Sequence, residues 1–387
     1  MKIAFIRKAY TPYGGSERYL AQLIERLCLQ GHEVHIFANR WESNPTQRPG
    51  DPKPSRLFFR RVPMVQSPSF LQALSFAYFS QHLLQKEAFD IIHSFERTLY
   101  QDIYRAGDGC HREWLIQRRK MDPWIKRSLH PLNPLHRSLL FLEKRLFQSP
   151  KLKRIIANSR RGKEEILRHY GVGGGKVEVI YNGVDLEAFH PQNVTLYRKA
   201  VREEMKIPAE GFVLLFLGSG FKRKGLDSLI AALPHIKREI PSAFLVVAGK
   251  NGVGGYRHKA RRHGAEESLI FLGPTQRARE LYAASDLFVL PTLYDPFSNA
   301  CLEAMATGIP VLTSRANGVA ELIEDQQNGF LLQNPRDPLE ICEKVAAFYR
   351  SPARISLGAR ARKTSTVLDM DGVIRRILSI YEELRKE

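Results

Sequence analysis

Residues 285–314 read SDLFVLPTLYDPFSNACLEAMATGIPVLTS and carry two carboxylates, Asp295 and Glu303, with seven residues between them. The apolar runs at 287–290 and 310–313 predict two buried strands, and the segment between them predicts a short helix. Asp295 would then lie at the tip of a strand, and Glu303 about one turn into the helix. The alternative interpretation is an ordinary strand–turn–helix with surface carboxylates.

The start of the predicted helix, near Ser298 and Asn299, would carry free backbone N–H groups. Such groups bind anions. Two carboxylates that can accept hydroxyl hydrogens, beside an anion site, suit a sugar joined to a phosphate.

Two α/β series surround this segment. In the first, a strand at 2–7, a helix closed by Gly31 and a strand at 34–38 form a β-α-β unit, which predicts a parallel sheet with ligands at its carboxyl ends. In the second, an equivalent series begins with a buried strand at 212–217. The sequence therefore predicts an α/β protein of two Rossmann-like domains facing a cleft, with boundaries at residues 1–190 and 191–370.

The composition agrees with a two-domain protein and limits the classes of partner that it can bind. The 387 residues suggest two domains, and 43% hydrophobic content is enough for packed cores. The sequence contains no run of 18 apolar residues, so it predicts no membrane-spanning helix. Its first apolar stretch is too short for a signal peptide. The four cysteines are far apart, which favours a reduced, cytoplasmic protein. A formal charge of +19 implies an anionic partner: nucleic acid, a membrane surface or a phosphorylated substrate.

Two glycine-containing loops are candidate phosphate sites. Residues 218–225, GSGFKRKG, place three adjacent cations after a strand and before a helix, which suits a diphosphate. The alternative there is a solvated basic loop. Gly14 and Gly15 also lie between a strand and a helix, where glycine allows close backbone approach to a ligand. A plain tight turn is the alternative, and the Gly-x-Gly-x-x-Gly pattern of dinucleotide-binding loops is absent.

These elements, in this order, resemble the family-4 glycosyltransferases, which are retaining enzymes of the two-domain GT-B fold. The first carboxylate of that family's Glu-x7-Glu motif is here Asp295. Together with PYGGSER at 12–18 and the loop at 218–227, the motif most resembles the heptose-directed glucosyltransferases of the lipopolysaccharide core. The resemblance implies an acceptor-binding first domain, a donor-binding second domain, and a C-terminal segment, residues 371–387, that crosses back to the first.

The resemblance also implies roles for individual residues. Lys224 clamps the donor diphosphate, with Arg223 supplying the charge that many members carry at the position of Ser219. Glu303 accepts hydrogen bonds from the donor ribose, and Asp295 contacts hydroxyls of the transferred sugar. The implied catalytic residues are Lys224, Arg223, Asp295, Glu303, Asp108 and His111. The implied donor-binding residues are Gly14, Gly15, Gly218, Lys224, Ser298, Asn299 and Glu303.

The implied reaction is retaining transfer of a hexose, glucose from UDP-glucose, to a membrane-associated glycan such as the lipopolysaccharide inner core. The resemblance implies no cofactor and no metal, since the cations take the metal's role. GDP-sugars, another cell-envelope polysaccharide and a sugar-nucleotide epimerase with the same lobes stay open as alternatives.

The run at 107–114, GDGCHREW, contains several reactive groups. A Cys110–His111 nucleophilic pair is one interpretation, although adjacency in sequence is not the geometry such a pair needs. A structural histidine is the other. By resemblance, Asp108 and His111 are instead candidates for the acceptor side.

A basic segment follows, in which cations far outnumber acids between residues 112 and 154 and aromatic residues are interleaved. This pattern fits the surface of an anionic membrane, which implies a cytoplasmic protein attached to the inner face of the plasma membrane. The predicted contact residues are Arg112, Trp114, Arg118, Arg119, Lys120, Trp124, Lys126 and Arg127. The pattern also fits single-stranded nucleic acid. A basic nucleic-acid-binding protein is therefore the rival class, although no helix-turn-helix, RNA-recognition or zinc signature accompanies it.

Overall fold

The computed structural model describes residues 1–10, 15–41, 56–122 and 132–386. The chain forms two compact units, one of Met1–Tyr181 with Val373–Glu387 and the other of Asn182–Gly372. The first unit thus ends before the predicted boundary at residue 190. The reason is that the intervening residues bond to the second unit: Asn182 donates to Asn299, and the Arg362 guanidinium donates to the carbonyl of Phe189.

The first unit contains a seven-stranded sheet with the order β5-β3-β1-β6-β7-β8-β9, in which every pair is parallel. Its strands are β1 (Lys2–Ile6), β2 (Ala9–Tyr10), β3 (Glu33–Ala38), β4 (Arg40–Trp41), β5 (Leu57–Arg61), β6 (Ile91–Ser94), β7 (Ile103–Ala106), β8 (Arg154–Ala157) and β9 (Val177–Val179). Its helices before the second unit are α1 (Gly15–Leu29), α2 (Ser69–Leu84), α3 (His111–Met121), α4 (Pro134–Phe147) and α5 (Arg160–Tyr170). Strands β2 and β4 form a separate short pair.

The sequence predicts five strands of this sheet, at 2–7, 34–38, 90–93, 155–158 and 177–181, but not β5 or β7. Strand β7 is central and buried, yet it contains Arg105, whose guanidinium stacks over the Tyr19 ring at 4.3 Å from its centroid. This internal cation interrupts the apolar run by which buried strands are recognised. Strand β5 is an edge strand with mostly exposed residues, so its sequence, LFFRR, lacks a clear apolar face.

The second unit contains a six-stranded parallel sheet with the order β12-β11-β10-β13-β14-β15. Its strands are β10 (Phe212–Leu217), β11 (Ala243–Ala248), β12 (Leu269–Gly273), β13 (Leu287–Leu290), β14 (Val311–Ser314) and β15 (Gly329–Leu332). Its helices are α6 (Gln192–Glu204), α7 (Leu226–Glu239), α8 (Gly254–Arg262), α9 (Ala278–Ala284), α10 (Asn299–Ala306), α11 (Pro338–Arg350) and α12 (Arg354–Thr366).

The strand order of the second unit determines where a ligand can bind. Strand β10 lies between β11 and β13. The strands that follow it in the chain are therefore added first on one side of β10 and then, from β13 onward, on the other side. Ligands of open α/β sheets bind at such a switch point, outside the carboxyl ends of the strands. The basic loop that follows β10 and the carboxylate segment that follows β13 both leave the sheet there.

The last helix, α13 (Met370–Lys386), contributes its residues from Val373 onward to the first unit. Ile377, Ile380 and Tyr381 are fully buried. The Tyr381 hydroxyl bonds to Nδ1 of His93 in β6 at 2.5 Å, and the Arg376 guanidinium bonds to Glu178 at 2.6 Å. Helix α13 therefore contributes buried side chains to the first unit, although it follows the whole second unit in sequence.

Candidate functional site

The basic loop after β10 depends on glycine at both of its ends. Gly218 has φ +148°, and a Cβ there would lie 2.7 Å from Nζ of Lys224. Gly225 has φ +81°, and a Cβ there would lie 1.9 Å from the carbonyl oxygen of Pro291. A side chain at either position would have a strained backbone; at 225 it would also collide with the main chain, and at 218 it would displace the Lys224 side chain. The two glycines thus let the Lys224 side chain lie across the loop and let the loop pack against the segment after β13.

Arg223 and Lys224 converge on one carboxylate. Oδ2 of Asp295 lies 3.4 Å from Nη1 of Arg223 and 3.5 Å from Nζ of Lys224. The side chains of Lys224 and Asp295 are only 12% and 8% exposed. Nη1 of Arg223 also donates to the carbonyl of Tyr294 at 2.7 Å. The sequence placed Arg223 and Lys224 on one loop and Asp295 on another, and the structure brings the three into one ionic cluster with an excess of one positive charge.

Main-chain bonds hold the two loops together. The amide of Leu293 donates to the carbonyl of Arg223 at 2.8 Å, and the Thr292 hydroxyl donates to the same carbonyl at 3.2 Å. On the other side, Asp295 donates to Ala316 at 3.1 Å and accepts from Gly318 at 2.9 Å. The carboxylate of Asp295 is therefore fixed by its own backbone as well as by its ion pairs.

The prediction of a free amide at Ser298 is wrong. The Ser298 N–H donates to Oδ1 of Asn317 at 3.2 Å, because Asn317, just before a 3₁₀ turn at Gly318–Leu322, reaches back to the start of α10. The first bond inside α10 runs from Leu302 N–H to Ser298 C=O, so the amides of residues 299–301 lie ahead of the helical ladder. The Asn299 side chain is engaged separately, since its Oδ1 accepts from Asn182.

Glu303 lies in the second turn of α10 and is buried. Its Oε2 accepts a hydrogen bond from the Tyr282 hydroxyl at 3.0 Å, and its backbone carbonyl accepts from the Thr307 hydroxyl at 3.0 Å. The sequence predicted the place of Glu303 but not its aromatic partner, which lies on another helix.

The acceptor candidates belong to the first unit. Asp108 is exposed, whereas His111 is buried at the start of α3. Burial, followed by the Arg97 charge, lowers the pKa of His111 to about 4, so its imidazole is neutral at physiological pH. Gly15 is the first residue of α1, and Gly14 lies outside the described residues.

The nucleophilic interpretation of Cys110 is wrong. Burial, followed by the charge of Glu143, raises the pKa of the Cys110 thiol to about 12. The Cys110 thiol lies 3.8 Å from a Glu143 carboxylate oxygen. A nucleophilic cysteine requires the opposite environment, one that favours the thiolate.

Glu143, which is 0% exposed, anchors the segment that carries these candidates. Its carboxylate accepts from the amide of His111 at 2.7 Å, the amide of Arg112 at 3.1 Å, Nε of Arg97 at 3.0 Å and the Tyr170 hydroxyl at 2.6 Å. Arg97 also donates to the carbonyl of Gly109 at 2.8 Å. One carboxylate on α4 thus fixes the loop before α3 and the first turn of α3.

Comparison with known proteins decides the family. Residues 13–188 match the family Glycosyltransferase Family 4, and residues 198–364 match the family Glycosyl transferases group 1. Between them, these matches span most of both units. The lipopolysaccharide glucosyltransferase WaaG of Escherichia coli K12 is 24% identical over 373 residues, which cover 96% of each chain. The chain belongs to glycosyltransferase family 4.

This glycosyltransferase also matches relatives and solved structures along most of its length. A D-inositol 3-phosphate glycosyltransferase of Catenulispora acidiphila is 28% identical over 378 residues, covering 89% of this chain and 83% of the relative. The crystal structure of WaaG superposes with a TM-score of 0.84 at 23% identity, covering 98% of this chain and 99% of WaaG. HepE of Anabaena in complex with UDP-glucose gives 0.75 at 20% identity, covering 99% and 100%. The fold is GT-B, as predicted.

The basic surface predicted on the glycosyltransferase's first unit is partly described. Arg112, Arg119 and Lys120 on α3 are exposed, and Trp114 is half-buried. Arg118 instead forms an ion pair with Asp122 at 3.1 Å and bonds to His136. The remaining predicted contacts, Trp124, Lys126 and Arg127, lie outside the described residues.

Among the residues of the glycosyltransferase that the structure describes, none of the helices has both the length and the apolar content that crossing a membrane requires. Among the same residues, no group of three or more His, Cys, Asp or Glu side chains is placed to hold a metal ion. An Asp-x-Asp triplet, Asp369-Met370-Asp371, does occur, at the start of α13.

Proposed function

We propose that this protein is a retaining, metal-independent glucosyltransferase that moves glucose from UDP-glucose to a membrane-associated glycan such as the lipopolysaccharide inner core. The observation that carries the proposal is the cluster of Arg223, Lys224 and Asp295 at the switch point of the second sheet. Together with the buried carboxylate of Glu303, it provides the two kinds of contact that a nucleoside diphosphate sugar needs.

The cations of the cluster would bind the donor diphosphate. Asp295 neutralises only one of the two positive charges, so an anion that enters still meets a net positive site. The ion pairs and the glycine at 218 hold Lys224 in place before any donor binds. Charges fixed in advance stabilise developing negative charge without the cost of reorganising at the moment of reaction. The amides ahead of the α10 ladder would add neutral donors to the same phosphates.

The reaction breaks the bond between the sugar C1 and the oxygen of the β-phosphate, and it forms a bond between C1 and an acceptor oxygen on the same face of the sugar. The departing phosphate takes the proton of the acceptor hydroxyl, so the products are UDP and the elongated glycan. Arg223 and Lys224 would stabilise the diphosphate as it becomes more negative. Glu303 would hold the donor by accepting hydrogen bonds from its ribose.

Relatives support the choice of donor. WaaG is named as a lipopolysaccharide glucosyltransferase, and the HepE structure contains UDP-glucose. Asp295 is one methylene shorter than the glutamate usual in the family, and its carboxylate is drawn toward the two cations. The sugar pocket therefore differs in depth from that of a protein with glutamate there, and a different hexose is the alternative that a binding experiment decides.

Calorimetric titration with UDP-glucose, UDP-galactose, UDP-N-acetylglucosamine and GDP-mannose tests this proposal. We expect one UDP-sugar, UDP-glucose, to bind with the highest affinity and with the same Kd in the presence of EDTA. Lys224→Ala should abolish measurable binding, whereas Lys222→Ala, an equal charge change at an exposed position of the same loop, should retain it. No binding of any donor would refute the transferase function and favour the nucleic-acid alternative. A chelator-sensitive affinity would refute metal independence.

The membrane contact is proposed from the first unit alone. Helix α3 exposes three cations, and the neighbouring α4 exposes Arg137, Lys144 and Arg145. Phe141 on α4 is 50% exposed, and Tyr78 on α2, which packs against α4, is 61% exposed. Cations beside exposed aromatic side chains are typical of surfaces that lie on anionic bilayers.

Sedimentation with lipid vesicles tests this contact. Vesicles that contain anionic lipid should bind the protein, and neutral vesicles should not. The double variant Arg119→Ala/Lys120→Ala should weaken binding roughly 30-fold, since each cation near such a surface contributes about 1 kcal/mol. Arg257→Ala/Arg262→Ala removes the same charge from α8 of the second unit and serves as the control. Equal loss in both variants, or equal binding to both kinds of vesicle, contradicts a specific surface.

A further inference from the structure

Tyr282 is a buried residue that the family motif does not include. It lies on α9, and its side chain is 0% exposed. Its hydroxyl donates to Oε2 of Glu303 on α10, and this bond is also buried. The two residues are 21 positions apart in sequence, on the helices that precede and follow β13 in the chain.

The Tyr282 ring has little freedom to move. The ring of Phe189 meets it edge-on at 5.8 Å and 73°, and the ring of Phe288 packs against it at 5.6 Å and 60°. The backbone carbonyl of Tyr282 accepts from both the amide and the hydroxyl of Ser285, which fixes the end of α9. The hydroxyl is therefore presented to Glu303 from a rigid position.

A glutamate carboxylate rotates easily about its last torsion, which has no sharp preferred angle. A hydrogen bond from a fixed donor to one of its oxygens removes that freedom. Because both groups are out of water, such a bond to a charged acceptor is stronger than an exposed one. The second carboxylate oxygen then points in one direction.

We propose that Tyr282 is a positioning residue that orients the Glu303 carboxylate toward the ribose of the donor and so makes the site selective for ribonucleotides. The inference rests on the proposed donor site. Tyr282 itself need not touch the donor, since it acts through Glu303. Its loss should therefore change which nucleotides bind more than it changes the fold.

The test compares UDP, 2′-deoxy-UDP and 3′-deoxy-UDP by calorimetry. The wild type should prefer UDP over at least one deoxy analogue by about tenfold or more, the effect of losing a hydrogen bond to a charged group. Tyr282→Phe should reduce this preference to below about threefold while the deoxy analogues keep their affinity. Glu303→Gln should do the same, and the double variant should show no further loss. Tyr349→Phe, the same change at a more exposed tyrosine of the second unit, should behave as wild type.

The outcomes separate the inference from the function on which it rests. If Tyr282→Phe weakens UDP and both deoxy analogues by the same factor, the residue is only structural and the inference is overturned. If the wild type binds UDP without preferring it to either analogue, Glu303 does not recognise the ribose hydroxyls and the inference is overturned. If the wild type binds none of the three nucleotides, the proposed function itself is refuted.

Discussion

Replacing Lys224 by alanine is expected to lower kcat/KM for sugar transfer by at least about 10²- to 10³-fold, the usual loss when one preorganised donor to a developing charge is removed. Lys224 is mostly buried, lies 3.5 Å from Asp295 and rests against Gly218. In the proposed reaction, its ammonium would therefore be held where charge develops on the diphosphate. Initial rates with UDP-glucose and a lipopolysaccharide-core acceptor measure the effect.

The fold should tolerate this change, because Asp295 keeps Arg223 as an ion-pair partner. The melting temperature of Lys224→Ala should accordingly stay close to that of the wild type. Lys224→Arg should recover part of the rate, since it restores the charge, whereas Lys222→Ala should be nearly neutral. Full activity of Lys224→Ala would exclude the lysine from catalysis.

Replacing Glu143 by alanine is expected to lower the free energy of unfolding of the first unit by about 3–5 kcal/mol, the usual cost of breaking a buried ion pair from one side. The change would leave the Arg97 guanidinium without its carboxylate and two amides of α3 without their acceptor. The three tryptophans, Trp41, Trp114 and Trp124, all belong to the first unit. Urea unfolding followed by tryptophan fluorescence therefore reports on the unit that contains the change.

Lowering the pH should reduce the difference in the free energy of unfolding between the wild type and Glu143→Gln. Burial raises the pKa of Glu143, but the Arg97 charge and the hydrogen bonds outweigh it and leave the pKa below its ordinary value. A carboxyl whose folded pKa is lowered stabilises the fold above its unfolded pKa, about 4.3, and loses that contribution as the pH falls through the folded value. The difference should thus be constant from pH 8 to about 5 and shrink below about 4.

Glu164→Ala is the matched control, because Glu164 is exposed on α5 of the same unit. Its effect should stay within about 0.5 kcal/mol. A loss at Glu143 no larger than at Glu164 would show that the carboxylate does not hold α3.

The sequence predicted the parts of the site that local patterns encode. Glu303 lies about one turn into a helix, as the helix signals placed it, because those signals depend on neighbours within a few residues. The basic loop was found for the same reason, since glycines stand at both ends of the segment 218–225. Asp295 was predicted at the tip of a strand and instead lies in the loop beyond β13, where it forms an isolated bridge with Asn317.

Other features depend on contacts between distant residues, and no local pattern reveals them. The Ser298 amide is occupied by Asn317, which reaches it from the far side of β14. Nothing near Tyr282 in sequence indicates that its hydroxyl has a carboxylate partner. Strand β7 was missed because a buried Arg105 is stabilised by its contact with Tyr19 on another element.

The last helix has a consequence for the order of events during synthesis. The first unit needs Tyr381 and its neighbours, yet the ribosome makes the whole of Asn182–Gly372 before it reaches them. At about 5–20 residues per second, this interval lasts about 10–40 s. Throughout that time, α13 does not yet cover His93 and the surrounding surface against which it packs. The nascent chain therefore exposes an apolar surface of the first unit until α13 has been made.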